Sequence, residues 1–219
     1  MVEPQRRRGR PARGGERDRR QEILRAATAE FAELGYDGAT VRSIAARAGV
    51  DAALVHHYFG SKADLFTAAV DMPMRPDVDV PRLIAGPRDE VGERVVRYVL
   101  GIWDDPSHRR RGTALLRTAI GGRGVSPVLT GFIARELVGG VARAVGGEGA
   151  PLRASLAATH LVGIMIGRYV VRLPELADAD ADDIVAWVAP TIQRYLVGDP
   201  PAGASDLAVL PAGPAEFTT

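Results

Sequence analysis

The chain has 219 residues, 46% of them hydrophobic and 25% charged, the composition of an ordinary soluble globular protein with ample core. It contains no cysteine, which excludes disulfides and thiolate metal sites. The net charge of +1 hides an asymmetry, because residues 1–66 carry twelve basic against nine acidic side chains and the remainder sixteen against eighteen.

Residues 1–16, MVEPQRRRGRPARGGE, have no hydrophobic period and too much Arg, Gly and Pro to pack, so a disordered basic arm is expected. Within it RGRP at 8–11 is the core of an AT-hook, in which Arg8 and Arg10 would enter a narrow A·T minor groove. A solvated tail loosely attracted to phosphates is the plainer expectation. No apolar run follows these arginines, so a secretory signal is not expected and a cytoplasmic location is.

From residue 17 the pattern changes. Ile23, Ala27, Phe31 and Leu34 recur at helical spacing and Gly35 follows as a stop, which predicts a first amphipathic helix. Thr40 can cap a second, short helix with Val41, Ile44, Ala45 and Ala48 on one stripe, ended by Gly49. Asp51 caps a third, and Ser61 with Asp64 has capping-box spacing for a fourth that reaches about Met72. Two short helices joined by a tight glycine turn, with a longer one before them, form a helix-turn-helix pattern. This domain is expected over 17–77.

The third helix raises the chemical question, because His56 and His57 are adjacent. With Val55 turned to the core, Phe59 and Tyr58 lie on the same side, Ala53 and His57 face outward, and Leu54 and His56 flank them. Neighbouring histidines point about 100° apart on a helix and lack the i, i+3 or i, i+4 spacing of a metal pair, so no metal is expected. A short outward face of small residues and histidine suits a major groove about 12 Å wide. Arg42 and Ser43 would lie over the backbone or reach bases, and Lys62 would add a cation beside free N–H groups.

The stretch TVRSIAARAGVDAALVHHYFGSKADLF, residues 40–66, closely resembles the DNA-binding signature of the tetracycline-repressor (TetR) family of bacterial regulators. Thr40, Val41, Ile44, Ala45, Ala48, Gly49, Val50, His56, Tyr58, Phe59 and Lys62 carry the resemblance. With the first helix it covers about 50 residues. Two positions depart from the family pattern. His56 stands where Tyr is usual and would donate more weakly to phosphate when neutral, and Ala53 stands where Gly or Pro is frequent. What remains for base reading is Arg42, His57 and DNA shape. Thr40, Ala53, Leu54 and Tyr58 complete the expected DNA-contacting set.

Beyond residue 78 further helices are expected at 87–104, 107–120, 126–145, 151–173 and 182–197, with Pro190 kinking the last and residues 201–219 forming a frayed tail. No run reaches about eighteen apolar residues, since LVGIMIG at 161–167 meets Arg168, so no membrane partner is expected. The resemblance implies an all-α architecture: a three-helix DNA-binding domain followed by a larger helical domain, 78–200, that binds an effector and forms a homodimer. Ala154, Ala157, Ala158, Gly163 and Gly167, with Ile184, Val188, Ile192, Tyr195 and Leu196, are compatible with pairing of two copies and equally with packing inside one. Tyr98, Trp103, Phe132, His160, Met165 and Arg168 fit an apolar cavity with a few polar anchors.

Other chemistries fail on spacing. DADADD at 178–183 has Asp183 where a calcium loop needs Gly, and Ala189 where it needs Glu. GGRG at 121–124 lacks the Lys-Ser/Thr of a phosphate loop. No catalytic grouping and no cofactor motif is present. The expected function is a DNA-binding regulator released from a palindromic operator by a small molecule, with Leu65, Phe66 and Val70 of the fourth helix coupling pocket to DNA head. A constitutive or architectural DNA-binding protein is the alternative.

Overall fold

The structure, a computed structural model, describes residues 13–120 and 127–199. The arm over 1–12, with Arg8 and Arg10, the glycine break at 121–124, the cap at Ser126 and the tail at 201–219 lie outside the described residues. Every regular element among the described residues is a helix. Two compact units divide between Met72 and Pro73.

In the first unit α1 spans Arg13–Gly38, so residues 13–16, expected in the arm, form its first turn. Gly35 breaks its geometry at φ 73, ψ 175, a conformation that costs glycine little. The break redirects the chain: Leu34 is half exposed, contrary to the expected stripe, and Tyr36 is buried instead. Helix α2 is Val41–Ala48, α3 Ala52–Phe59 and α4 Lys62–Ala69. Their core is aromatic. Phe66 packs edge-on against Phe31 at 5.0 Å and Tyr36 at 5.2 Å, with Ile23, Ile44, Val55 and Leu65 buried around it.

The turn between α2 and α3 closes at Gly49, whose φ of 65 and ψ of 34 are left-handed, with its N–H bonded to the α2 carbonyls of Ala45 and Ala46. Asp51 then caps α3 by accepting from the Ala53 N–H at 2.7 Å.

The second unit begins with a helix that the sequence reading missed, α5 at Pro76–Ile84. Pro76 sits at the first helical position, where its missing N–H costs nothing. After a 3-10 turn at Arg88–Glu90 come α6, Val91–Asp104, and α7, Pro106–Ile120. Helix α8, Pro127–Phe132, passes through a π-helical Ile133–Val138 into α9, Gly139–Val145. Helix α10, Ala150–Met165, likewise ends in a π-helical Ile166–Val171. A further unexpected turn, α11 at Pro174–Ala177, precedes α12, Ala181–Val197, which continues through Pro190.

The core of this unit joins α6 and α12. Val91, Val95, Val96 and Leu100 meet Ile184, Val188, Ile192 and Leu196, with Met165 and Tyr169 closing one end. The two helices approach closely at Gly92, where a Cβ would lie 2.3 Å from the Ala189 carbonyl oxygen. There the Gly92 N–H donates to Gln193 Oε1 at 2.6 Å. One stretch, Ala150–Val171, is long and apolar enough to cross a membrane by length and composition, with a mean hydropathy of 1.4.

Candidate DNA-binding surface and effector cavity

At the start of α2, Thr40 Oγ1 accepts from the Ser43 N–H at 3.0 Å, while Ser43 Oγ accepts from the Thr40 N–H at 3.0 Å. The pair is a reciprocal capping box with Ser in place of Glu. Both hydroxyls are thereby committed: Ser43 Oγ donates to the Thr40 carbonyl at 2.9 Å and Thr40 Oγ1 to Ser43 Oγ at 3.1 Å. What this end of α2 offers outward is Arg42. Its side chain is exposed and forms no ion pair among the described residues.

Helix α3 buries Val55 and Phe59 and turns Ala53, His56 and His57 into solvent, with Leu54 and Tyr58 half-buried beside them. His57 lies edge-on to Tyr58 at 5.5 Å. His56 Nδ1 is 2.9 Å from the Gly60 carbonyl, so that nitrogen carries the proton. The neutral ring then has only an accepting Nε2 to present. Donation to a phosphate from His56 therefore requires the imidazolium, a stricter condition than the sequence suggested.

Lys62 is the first residue of α4, after the Ser61 cap, and places its Nζ 4.5 Å from the centre of the Tyr36 ring. Arg20 of α1 lies 4.9 Å from the Phe59 ring, a contact without a signal in the sequence. Arg47 is also cationic but is not available outward. Its Nε donates to Glu30 at 2.6 Å and its Nη1 to Glu33 at 2.9 Å, which ties α2 to α1 and holds the Glu33 carboxyl below its ordinary range through that hydrogen bond. Among the described residues no group of His, Cys, Asp or Glu is placed to hold a metal ion.

The six residues expected to line an effector cavity are scattered. Phe132 and Met165 are buried in packing, and His160 lies edge-on to Tyr195 at 6.1 Å. Tyr98 donates to Asp79 Oδ2 at 2.6 Å, and burial, then that bond, push its phenol well above the ordinary range. Trp103 stacks on Tyr169 at 5.5 Å. Only Arg168 of the six borders the cavity found in this unit, about 280 Å³ in volume. Its other walls are Asp104 of α6, Arg109, Arg110 and Thr113 of α7, Tyr169 of the second π segment, Arg172 just after it, and Ala177 of α11. The RRR run at 109–111 was the available signal.

The small residues offered for pairing of two copies mostly turn inward: Ala154, Ala157 and Gly167 are buried, as are Ile184, Val188, Ile192 and Leu196. The outward apolar side chains are others. Leu152, Leu156 and Val162 of α10 are exposed, and Trp187 of α12 is 85% exposed.

Comparison with known proteins accords with this geometry. Residues 23–69 match the family described as bacterial regulatory proteins, tetR family, and residues 89–196 the tetracyclin repressor-like C-terminal domain. The HTH-type transcriptional regulator BetI of Stenotrophomonas maltophilia is 35% identical over 101 residues, 46% of this chain and 44% of that protein. The HTH-type transcriptional repressor AcnR of Corynebacterium glutamicum is 49% identical over 49 residues, 22% of this chain and 26% of that one. The matched stretches thus cover less than half the length of these two relatives. A solved TetR-family regulator from Streptomyces coelicolor A3 is 37% identical, covering 85% of this chain and 99% of its own, with a TM-score of 0.48.

Proposed function

The chain belongs to the TetR family of bacterial regulators, and from that premise we propose that it is a homodimeric repressor that leaves a palindromic operator when a small molecule occupies its second unit. The observation that carries the reading is the outward face of α3, where Ala53 and His57 stand exposed on a helix fixed by the Asp51 cap and by buried Val55 and Phe59. Helix α3 enters the major groove, with Ala53 and Leu54 against thymine methyls and His57 at a base edge. Arg42, Lys62 and the N-terminal end of α2 meet the phosphates, and Thr40 and Ser43 serve them by fixing that end of the helix through their capping box. Tyr58 and the imidazolium of His56 flank the same backbone. Arg8 and Arg10 of the arm add contacts along the minor groove.

Reading two half-sites needs two copies. The apolar face of Leu152, Leu156, Val162 and Trp187 supports pairing through α10 and α12, and such pairing would cover the hydrophobic stretch at 150–171. Release follows if the effector favours the state with the wrong separation of reading helices, which takes a differential affinity of roughly 1–3 kcal/mol. Leu65 and Phe66 of α4, buried in the first unit's core, are the elements proposed to transmit it. Hydroxyl-radical footprinting on DNA from the protein's own upstream region tests the assembly. Two protected stretches about 34–36 Å apart are expected, and a single or continuous footprint contradicts it.

A further inference from the structure

Arginine is always charged, so several arginines converging on one cavity set up a positive field that attracts an anion. The cavity of about 280 Å³ in the second unit has four, Arg109, Arg110, Arg168 and Arg172, against one carboxylate, Asp104. That carboxylate is already engaged: Asp104 Oδ1 accepts from the Tyr169 hydroxyl at 2.6 Å and lies 3.9 Å from Arg168 Nη2. The guanidinium groups of Arg109, Arg110 and Arg172 form no ion pair among the described residues.

Two further features concentrate at the same place. Arg168 has a side chain only 10% exposed, and its Nη1 donates to the carbonyls of Leu176 at 2.7 Å and Ala179 at 2.8 Å, yet its Nε is buried with no hydrogen-bond partner. Arg172 is one of two non-glycine residues with positive φ among the described residues, at φ 59, ψ 54, directly after the π-helical turn that presents Arg168 and Tyr169. Left-handed backbone at a non-glycine residue and π turns both cluster at functional sites. Tyr169, backed by Trp103, supplies one apolar wall.

We infer that this cavity binds a small organic anion through its carboxylate or phosphate group, held by the Arg109, Arg168 and Arg172 guanidiniums, with its apolar body against Tyr169. As an effector site this rests on the regulator reading above; as an anion site it stands alone. The volume of about 280 Å³ lies just below the ~300–1,000 Å³ usual for ligand pockets, which favours a compact ligand.

Calorimetric titration of the full chain with five probes tests it: benzoate, phenyl phosphate, the neutral isostere benzamide, benzyltrimethylammonium and inorganic phosphate. Benzoate or phenyl phosphate should bind, and benzamide and the cation should not. Arg109→Gln with Arg172→Asn, which keeps a residue that tolerates left-handed backbone, should weaken the organic anion about tenfold or more. Removing two charges elsewhere in the unit, Arg82→Gln with Arg88→Gln, should leave it unchanged. Circular dichroism melting of each variant checks that it folds. Binding by benzamide as tight as by benzoate, binding of inorganic phosphate alone, no anion binding at all, or anion binding indifferent to the Arg109 and Arg172 changes overturns the inference. Upstream DNA titrated with the same protein separates the two readings: anion binding without DNA binding removes the regulator and leaves the site, and the reverse removes the site alone.

Discussion

Single side chains divide the first unit into those that build the surface and those that act from it. Thr40 and Ser43 illustrate the first group, since their hydroxyls are consumed in a capping box, and the exposed Arg42 beside them is proposed for the second. Arg42→Ala should therefore weaken binding to every duplex and lower the salt slope by about 1, read from affinities across a salt series. An unchanged slope would remove Arg42 from the phosphates. In the second unit Asp105 accepts from the N–H groups of Ser107 and His108 and from the Ser107 hydroxyl, which together pull its carboxyl down to about 2, the hydroxyl bond first. A folded value below the unfolded one means that its stabilisation is present above the ordinary carboxylate range. It is lost as pH falls through about 2. Carboxyl chemical shifts should titrate Asp105 near that value, and a midpoint near 4 would show the cap to be open. The face of α3 was legible in the sequence at this scale, because Val55 and Phe59 share a helical stripe that places Ala53 and His57 opposite. The Gly60 bond that restricts His56 was not legible, as it depends on how the chain turns after the helix.

Among the elements, most helices were visible in apolar period and caps: Thr40, Asp51 and Ser61 cap α2, α3 and α4 as their residue types suggested. Helix α5 was hidden because a proline beyond a helix fits a break as well as the first position of the next helix, and the π-helical turns carry no sequence period at all. The sequence also could not say which stripe of α10 and α12 faces the core. Small residues suit a close helix crossing within one chain as well as between two, and here Ala154 and Ala157 went inward. Helix α6 offers a test of the close approach. Gly92→Ala would drive a Cβ to 2.3 Å from the Ala189 carbonyl and should destabilise by roughly 1–3 kcal/mol. Gly101→Ala in the same helix has nothing within 4 Å and should stabilise by roughly 0.5–1 kcal/mol. Urea unfolding at matched protein concentration checks both, and equal effects of one sign would contradict the packing.

For the whole molecule the proposal needs two copies and a charged, groove-reading head. Trp187, 85% exposed on α12, should be buried by pairing. Trp187→Asp is then expected to yield a monomer in sedimentation equilibrium, with DNA affinity lowered because only one half-site can be held. A dimer that survives the change would place the interface elsewhere. Net charge concentrates at the front of the chain, so deleting residues 1–12 should lower affinity and flatten its salt dependence without changing which duplex is preferred. The family and the helical character of both units could be anticipated from residues 40–66, whereas the arginine cavity could not, since its walls come from α6, α7, the π-helical turn after α10 and α11, far apart in sequence. The most direct measurement is a salt titration of binding to the protein's own upstream DNA against a scrambled duplex, with His57→Ala alongside. The account predicts tight binding to the upstream duplex alone, weakened by roughly 1–3 kcal/mol in the variant. Equal and steeply salt-dependent affinity for both duplexes, indifferent to His57, would contradict it.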